Sequence, residues 1–257
     1  MNRRDLLPVL LAALVFAGAA SAQSPTLPLR YAVLSAVGDE MTIVYARTQT
    51  GSHLDRNDRE AMPMPQHALD RLALGHLDKA LKRAAPTVEV AALMAANSSL
   101  LKVQRQAIHG HAHPSAPVRA FADVLPAGGA DRLLLLLKHR GDARIPVRDG
   151  SIGQGQLDGV GFYIDRVSIL SSKATGSLSP GFLAPYAYVR LVLADASGRS
   201  LVERIIEAAE THLMGDATYA RQPWELMDAN AKVAAIDRLL QREIERELPR
   251  LLSSASQ

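Results

Sequence analysis

Arg132-Leu133-Leu134-Leu135-Leu136-Leu137-Lys138 is the stretch on which the fold turns. Five leucines between two charges are far short of the roughly 20 apolar residues that cross a bilayer. They show neither the 3.6-residue period of an amphipathic helix nor the alternation of a half-buried strand. A strand covered on both faces fits, and such a strand belongs inside a sheet with helices on either side.

Upstream, Leu69, Leu72, Ala73, Leu77, Ala80, Leu81 and Ala84 recur at helical spacing from Gln66 until Pro86 stops the helix. Thr87 to Leu93 reads as a strand. Ser98 to Ile108 reads as a second helix capped by Asn97 or Ser98, and Pro117 to Leu125 as a short third one. Further back, Tyr31 to Val37 and Met41 to Ala46 are β-rich runs joined through Gly38-Asp39-Glu40, which predicts a hairpin. Thr48 to Pro65 reads as a long surface loop.

Downstream, Ile145 to Gly161 reads as a glycine-rich loop, Phe162 to Leu170 as a strand, and Ser171 to Pro185 as a flexible connection. Ala187 to Leu193 alternates, with Val189, Leu191 and Leu193 on one face and Tyr188 and Arg190 on the other. The turn Asp195-Ala196-Ser197-Gly198 leads to Leu201 to Ala209, which fits both periods. The hairpin turn before it favours strand. After Pro223 comes the clearest element: Val233, Ile236, Leu240, Ile244, Leu248 and Leu251 form a helical stripe, with Glu243–Arg246 and Glu247–Arg250 at ion-pair spacing. Each such pair is worth about 0.2–0.5 kcal/mol. The predicted class is mixed α/β (α+β): one mixed sheet with hairpins, covered by helices and closed by a long C-terminal helix.

The 257 residues carry 29 Lys and Arg against 26 Asp and Glu, a net charge of +3 with no basic block. With four Phe, six Tyr and one Trp there is little to stack on bases, and nucleic-acid binding is not expected. Arg3 and Arg4, the apolar run Leu6 to Ala17 and the small residues Ala20-Ser21-Ala22 form a signal peptide over 1–22, leaving 23–257 as one domain. The run is too short for a retained anchor, so the mature chain is expected to be a periplasmic protein without a membrane span. Asn2-Arg3-Arg4-Asp5-Leu6-Leu7 is similar to a twin-arginine signal, but paired arginines are common in ordinary signals and the general secretory route is the expectation. There is no cysteine. Disulfides, thiolate catalysis and Cys-based metal sites are excluded, and Gln23 stands where a lipoprotein needs Cys.

Four segments invite a chemical reading. His109-Gly110-His111-Ala112-His113 would place three imidazoles on one face if extended, making His109, His111 and His113 candidate ligands for zinc or copper. Phe182, Tyr186 and Tyr188 concentrate aromatics beside the Ser171–Pro185 connection and are a candidate contact surface. Asp55-Arg56-Asn57-Asp58-Arg59-Glu60 lacks the glycine of a calcium loop and reads as an exposed charged loop. Gly153-Gln154-Gly155-Gln156-Leu157-Asp158-Gly159 is a misspaced dinucleotide fingerprint with no helix after it, so its glycines read as structural. No nucleophile elbow, zinc-protease motif or phosphate loop is found. No catalytic residue and no cofactor is assigned; the question of an enzyme stays open, leaning against.

The runs Tyr31 to Val44 and Ala184 to Asp195 resemble a family of uncharacterised exported proteobacterial proteins, which brings no activity or site residue. More remotely, the order of elements is similar to the periplasmic α/β domain of curli-secretion lipoproteins and penicillin-binding-protein activators, whose closing hairpin carries Asp and Gly as Asp195 and Gly198 do. The missing lipid-bearing Cys is a departure, so their membrane anchoring does not carry over. Two functions follow as expectations. One is a non-catalytic periplasmic accessory protein that binds another cell-envelope protein. The other is a periplasmic metal-binding or metal-dependent protein built on His109, His111 and His113. The sequence does not specify an oligomeric state.

Overall fold

All five leucines are buried, in the middle of the sheet. The computed structural model describes residues 28–47, 55–94, 98–126, 128–171, 176, 178–213 and 223–255. The predicted signal peptide lies outside these residues. The elements run β1 (Arg30–Ala36), β2 (Glu40–Tyr45), β3 (Asp58–Pro63), α1 (Ala68–Ala84), β4 (Glu89–Met94), α2 (Ser98–Ile108), α3 (Ala116–Ala122), β5 (Arg132–Lys138), β6 (Arg140–Asp142), β7 (Ile145–Val147), β8 (Gly150–Ile152), β9 (Gln156–Ser171), β10 (Leu178–Asp195), β11 (Ser200–Ala209), β12 (His212–Leu213) and α4 (Ala229–Ala255). Ten strands form one mixed sheet, and β7 and β8 form a separate two-stranded ribbon. The fold is mixed α/β, as expected.

The 18-residue β10 is the spine. Along one edge it pairs antiparallel with β5 through Val189–Asp195 and with β9 through Leu178–Tyr188. Along the other it pairs with β11 and β12. β1 lies parallel to both β4 and β5, while β2 lies parallel to β9 and antiparallel to β3.

This arrangement corrects the predicted first hairpin. Since β5 and β9 run the same way along β10, β1 and β2 also point the same way. The chain bends at Gly38 (φ 95) and runs on. Apart from Arg30, every residue of β1 is buried. A strand buried on both faces needs neighbours at both edges, and β4 and β5 supply them.

Helices α1 and α4 cover one face. Leu69, Ala73, Leu77 and Leu81 of α1 and Ile236, Leu240, Ile244, Leu248 and Leu251 of α4 pack on Val33, Leu134, Leu136, Phe162 and Leu191. Both predicted ion pairs of α4 form, Arg246–Glu243 at 2.5 Å and Arg250–Glu247 at 2.9 Å. Trp224, just before α4, meets Phe162 edge-on at 5.3 Å and carries the Lys232 ammonium 3.8 Å from its ring centroid. On the other face, Leu100, Val118 and Phe121 of α2 and α3 cover Leu133, Leu135, Leu137 and Val192. The remaining half of that face is covered by Ala143, Ile145 and Leu157.

Three further loop readings give way to strands. Asp58–Pro63 is β3, whereas 48–54 lies outside the described residues. Ile145–Ile152 folds as the β7–β8 ribbon, and β9 already begins at Gln156. β10 begins at Leu178, although Pro180 and Pro185 discourage a strand reading; Pro180 is accommodated beside a register shift before Phe182. The Tyr188 and Arg190 face is buried as well as the other. Ser200–Ala209 is a strand, entered through a turn in which Asp195 Oδ1 accepts from Ser197 Oγ at 2.6 Å, Ser197 N at 3.0 Å and Arg199 N at 3.1 Å. Among the described residues, no helix is long and apolar enough to cross a membrane.

Candidate functional site

The three histidines follow the end of α2, where Gly110 (φ 75) turns the chain. The segment is a helix-terminal turn, so the two-residue alternation that would gather the rings is not present. His109 Nδ1 accepts from Arg140 Nη1 at 2.7 Å, while His113 Nδ1 lies 2.8 Å from Ser115 Oγ. His111 is exposed. Among the described residues, no group of three His, Cys, Asp or Glu is placed to hold a metal ion.

Phe182, Tyr186 and Tyr188 are fully buried, which corrects their reading as a contact surface. They lie on the β10 face that receives the β6–β8 segment. Phe182 stacks on Tyr163 at 6.0 Å, and Tyr186 meets Tyr188 edge-on at 5.8 Å. Tyr188 Oη donates to Asp142 O at 3.0 Å and accepts from Arg144 N at 2.9 Å, pinning that segment to the sheet. Burial pushes the Tyr163 hydroxyl up to about 12 and raises Tyr188 as well, so both remain protonated hydrogen-bonding groups.

The exposed apolar surface lies further along the same two strands. Asp165 pairs with Phe182, yet Ile169 pairs with Pro180, so three residues of β9 bulge opposite Gly181. Asp165 organises the bulge: Oδ1 accepts from Val167 N at 2.7 Å and Ser168 N at 2.8 Å, and Oδ2 from Ser168 Oγ at 2.7 Å. Gly181 has φ 83, and a Cβ there would overlap the Asp165 carbonyl, so the position requires glycine. Val167 in the bulge and Ile169 and Leu178 beyond it are 60%, 68% and 60% exposed.

Beside this ribbon a groove of about 840 Å³ opens between the end of β9, the β7–β8 ribbon and β12. Val147, Ile152, Ile169, Leu170 and Leu213 give it apolar walls, and Arg148, Asp149 and His212 give it polar ones. Burial lowers the His212 pKa, which favours the neutral ring near pH 7. Its Nε2 is buried and, among the described residues, without a hydrogen bond, and the Glu210 carboxylate stands 4.0 Å away. The groove can take an extended apolar segment along these walls. In the sequence, Val167, Ile169 and Leu170 look like core strand. Only the bulge that Asp165 and Ser168 make opposite Gly181 turns Val167 and Ile169 outward, while Leu170 stays packed on the core.

No protein-family model matches the chain, and no curated protein matches it either. The functional reading rests on the geometry.

Proposed function

We propose that this chain is a non-catalytic accessory protein of the periplasm that binds another cell-envelope protein through the groove beside the β9–β10 ribbon. One observation carries the reading: Val167, Ile169 and Leu178 stand more than half exposed on a ribbon braced by the Asp165 bulge, and Ile169 also lines the groove. Large exposed apolar side chains beside a groove mark interaction sites. Removing each such side chain from water is worth about 1.5–3 kcal/mol, which a partner would recover on binding. The signal-peptide pattern of residues 1–22 supports export. Kinship with periplasmic α/β domains belongs to the same proposal and rests on the order of elements.

A photo-crosslinking residue in place of Ser171, which lines the groove, tests this in intact cells. A discrete adduct with an envelope protein is expected, and it should vanish when Val167, Ile169 and Leu178 are all changed to Ser. An adduct that survives the triple substitution places the partner elsewhere and defeats the reading.

A further inference from the structure

On the α2–α3 face, β5 gives way to β9 along the spine. His139 makes the handover: its N–H donates to Tyr188 O at 2.9 Å and its carbonyl accepts from Gly159 N at 3.3 Å. The chain then leaves the β5 line as β6. Between this seam, the end of α2 and the uncovered side of β11 lies a cleft of about 290 Å³. Lys138, His139, Arg140 and Arg190 line it with one lining carboxylate, Glu203; His139 Nε2 is engaged from outside the lining by Glu207 at 3.2 Å.

The guanidinium groups are under-compensated. Arg190 stands on the spine strand with 8% of its surface exposed. Its Nη2 donates to Pro114 O at 2.5 Å, but its Nη1 is 3.4 Å and 3.5 Å from the two Glu203 oxygens. Charge-assisted bonds are typically about 2.7–2.9 Å. Glu203 is itself over a third exposed, so it compensates a buried cation weakly. Arg140 uses Nη1 on His109, and its Nε is buried with no acceptor. Of the remaining walls, Ala107, Ile108 and Ile205 are apolar and strengthen any charge interaction inside, while the Gln104 amide is occupied by Ala36 O and Lys138 N.

We propose that this cleft binds a small anionic group, a carboxylate or a phosphate, between Arg140 and Arg190. The planar guanidinium fork matches both groups, and a buried fork (Arg190) beside a half-buried one (Arg140), both short of close acceptors in one cleft, calls for an oxyanion. A metal ion would meet repulsion from the same residues. The site lies apart from the apolar groove and stands or falls separately from it.

The test uses the purified protein in isothermal calorimetry with inorganic phosphate and with acetate, at constant ionic strength set by chloride. Saturable binding of at least one anion is expected, and the tighter of the two identifies the group the cleft prefers. Arg140→Gln should weaken it by about tenfold or more, as expected for one lost charge-assisted hydrogen bond. Arg47→Gln, at an exposed arginine paired with Asp58 outside the cleft, should leave it unchanged. Arg190→Gln should weaken binding as well. Because Arg190 is buried and its loss can impair folding, Arg140→Gln decides the matter. No saturable binding of either anion by the wild type, or equal binding by Arg140→Gln, overturns the proposal.

Discussion

Ser35 Oγ donates a 2.6 Å hydrogen bond to Asp70 Oδ1, joining α1 to the end of β1 where the chain bends into β2. The same carboxylate oxygen accepts from Gly38 N at 3.2 Å. Asp70 is 1% exposed, and its Oδ2 has no hydrogen-bond partner. Burial raises its pKa by more than the Ser35 and Gly38 bonds and the nearby His67 lower it.

A stability prediction follows with a definite sign. A carboxyl whose folded pKa lies above its unfolded value of about 3.9 stabilises the fold below that value and loses the contribution as pH rises through the folded pKa. Asp70→Asn keeps an acceptor for Ser35 and Gly38 without the buried charge. It should melt higher than wild type at pH 8, with the advantage shrinking towards pH 4. A wild-type advantage at pH 8 would show that the ionised carboxylate is the favoured form.

Glycines at two positions should respond in opposite ways. At Gly161, where β9 pairs with β2, an added Cβ would overlap Thr42 O, a backbone atom held between two strands. Gly161→Ala should destabilise by on the order of 3 kcal/mol, since neither strand can yield. Gly75, within α1, has open space around it. Gly75→Ala should stabilise by up to about 1 kcal/mol through helix propensity. Urea unfolding of both variants checks the pair, and a neutral Gly161→Ala would mean the sheet is looser than it stands here.

Helix α4 closes the core, so a charge in its stripe should be severe. Leu240 is 1% exposed and Ile244 fully buried, both against the layer that α1 shares. Leu240→Asp and Ile244→Asp should each cost several kcal/mol, the order expected for burying an unpaired carboxylate. Melting within a degree or two of wild type would mean the helix detaches easily.

The sequence reveals those elements that bury one stripe or that are apolar throughout. α1, α2, α4 and β5 are legible for this reason: their periods follow from which faces are covered. The continuation of β1 into β2 is not legible, because Gly38-Asp39 suits a hairpin and a bend equally well. Only the pairing of β1 with β4 and β5, some 60 and 100 residues away in sequence, decides it. β10 is masked by Pro180 and Pro185, which tertiary pairing overrides. Phe182, Tyr186 and Tyr188 mislead for a related reason: their neighbours suggest a loop, while the β6–β8 segment covers them. The groove stays hidden because its bulge couples Asp165 to Gly181, and the seam cleft because it joins α2, β5, β6, β10 and β11.

The histidines after α2 supply the last test. His109 and His113 each have Nδ1 engaged, by Arg140 and Ser115, and all three histidines are exposed. A metal ion there would have to displace the Arg140 contact and sit beside a fixed positive charge. Changing His109, His111 and His113 together to Ala should therefore shift stability by no more than about 0.5 kcal/mol, as for exposed positions generally. Titrating zinc into the chelated wild type should barely move its melting temperature. Tight binding would be plain, since a ligand at about 100 times its Kd adds about 2.7 kcal/mol by mass action. A large zinc-induced rise that disappears in the triple variant would show that the turn re-forms around a metal and that the histidines serve it.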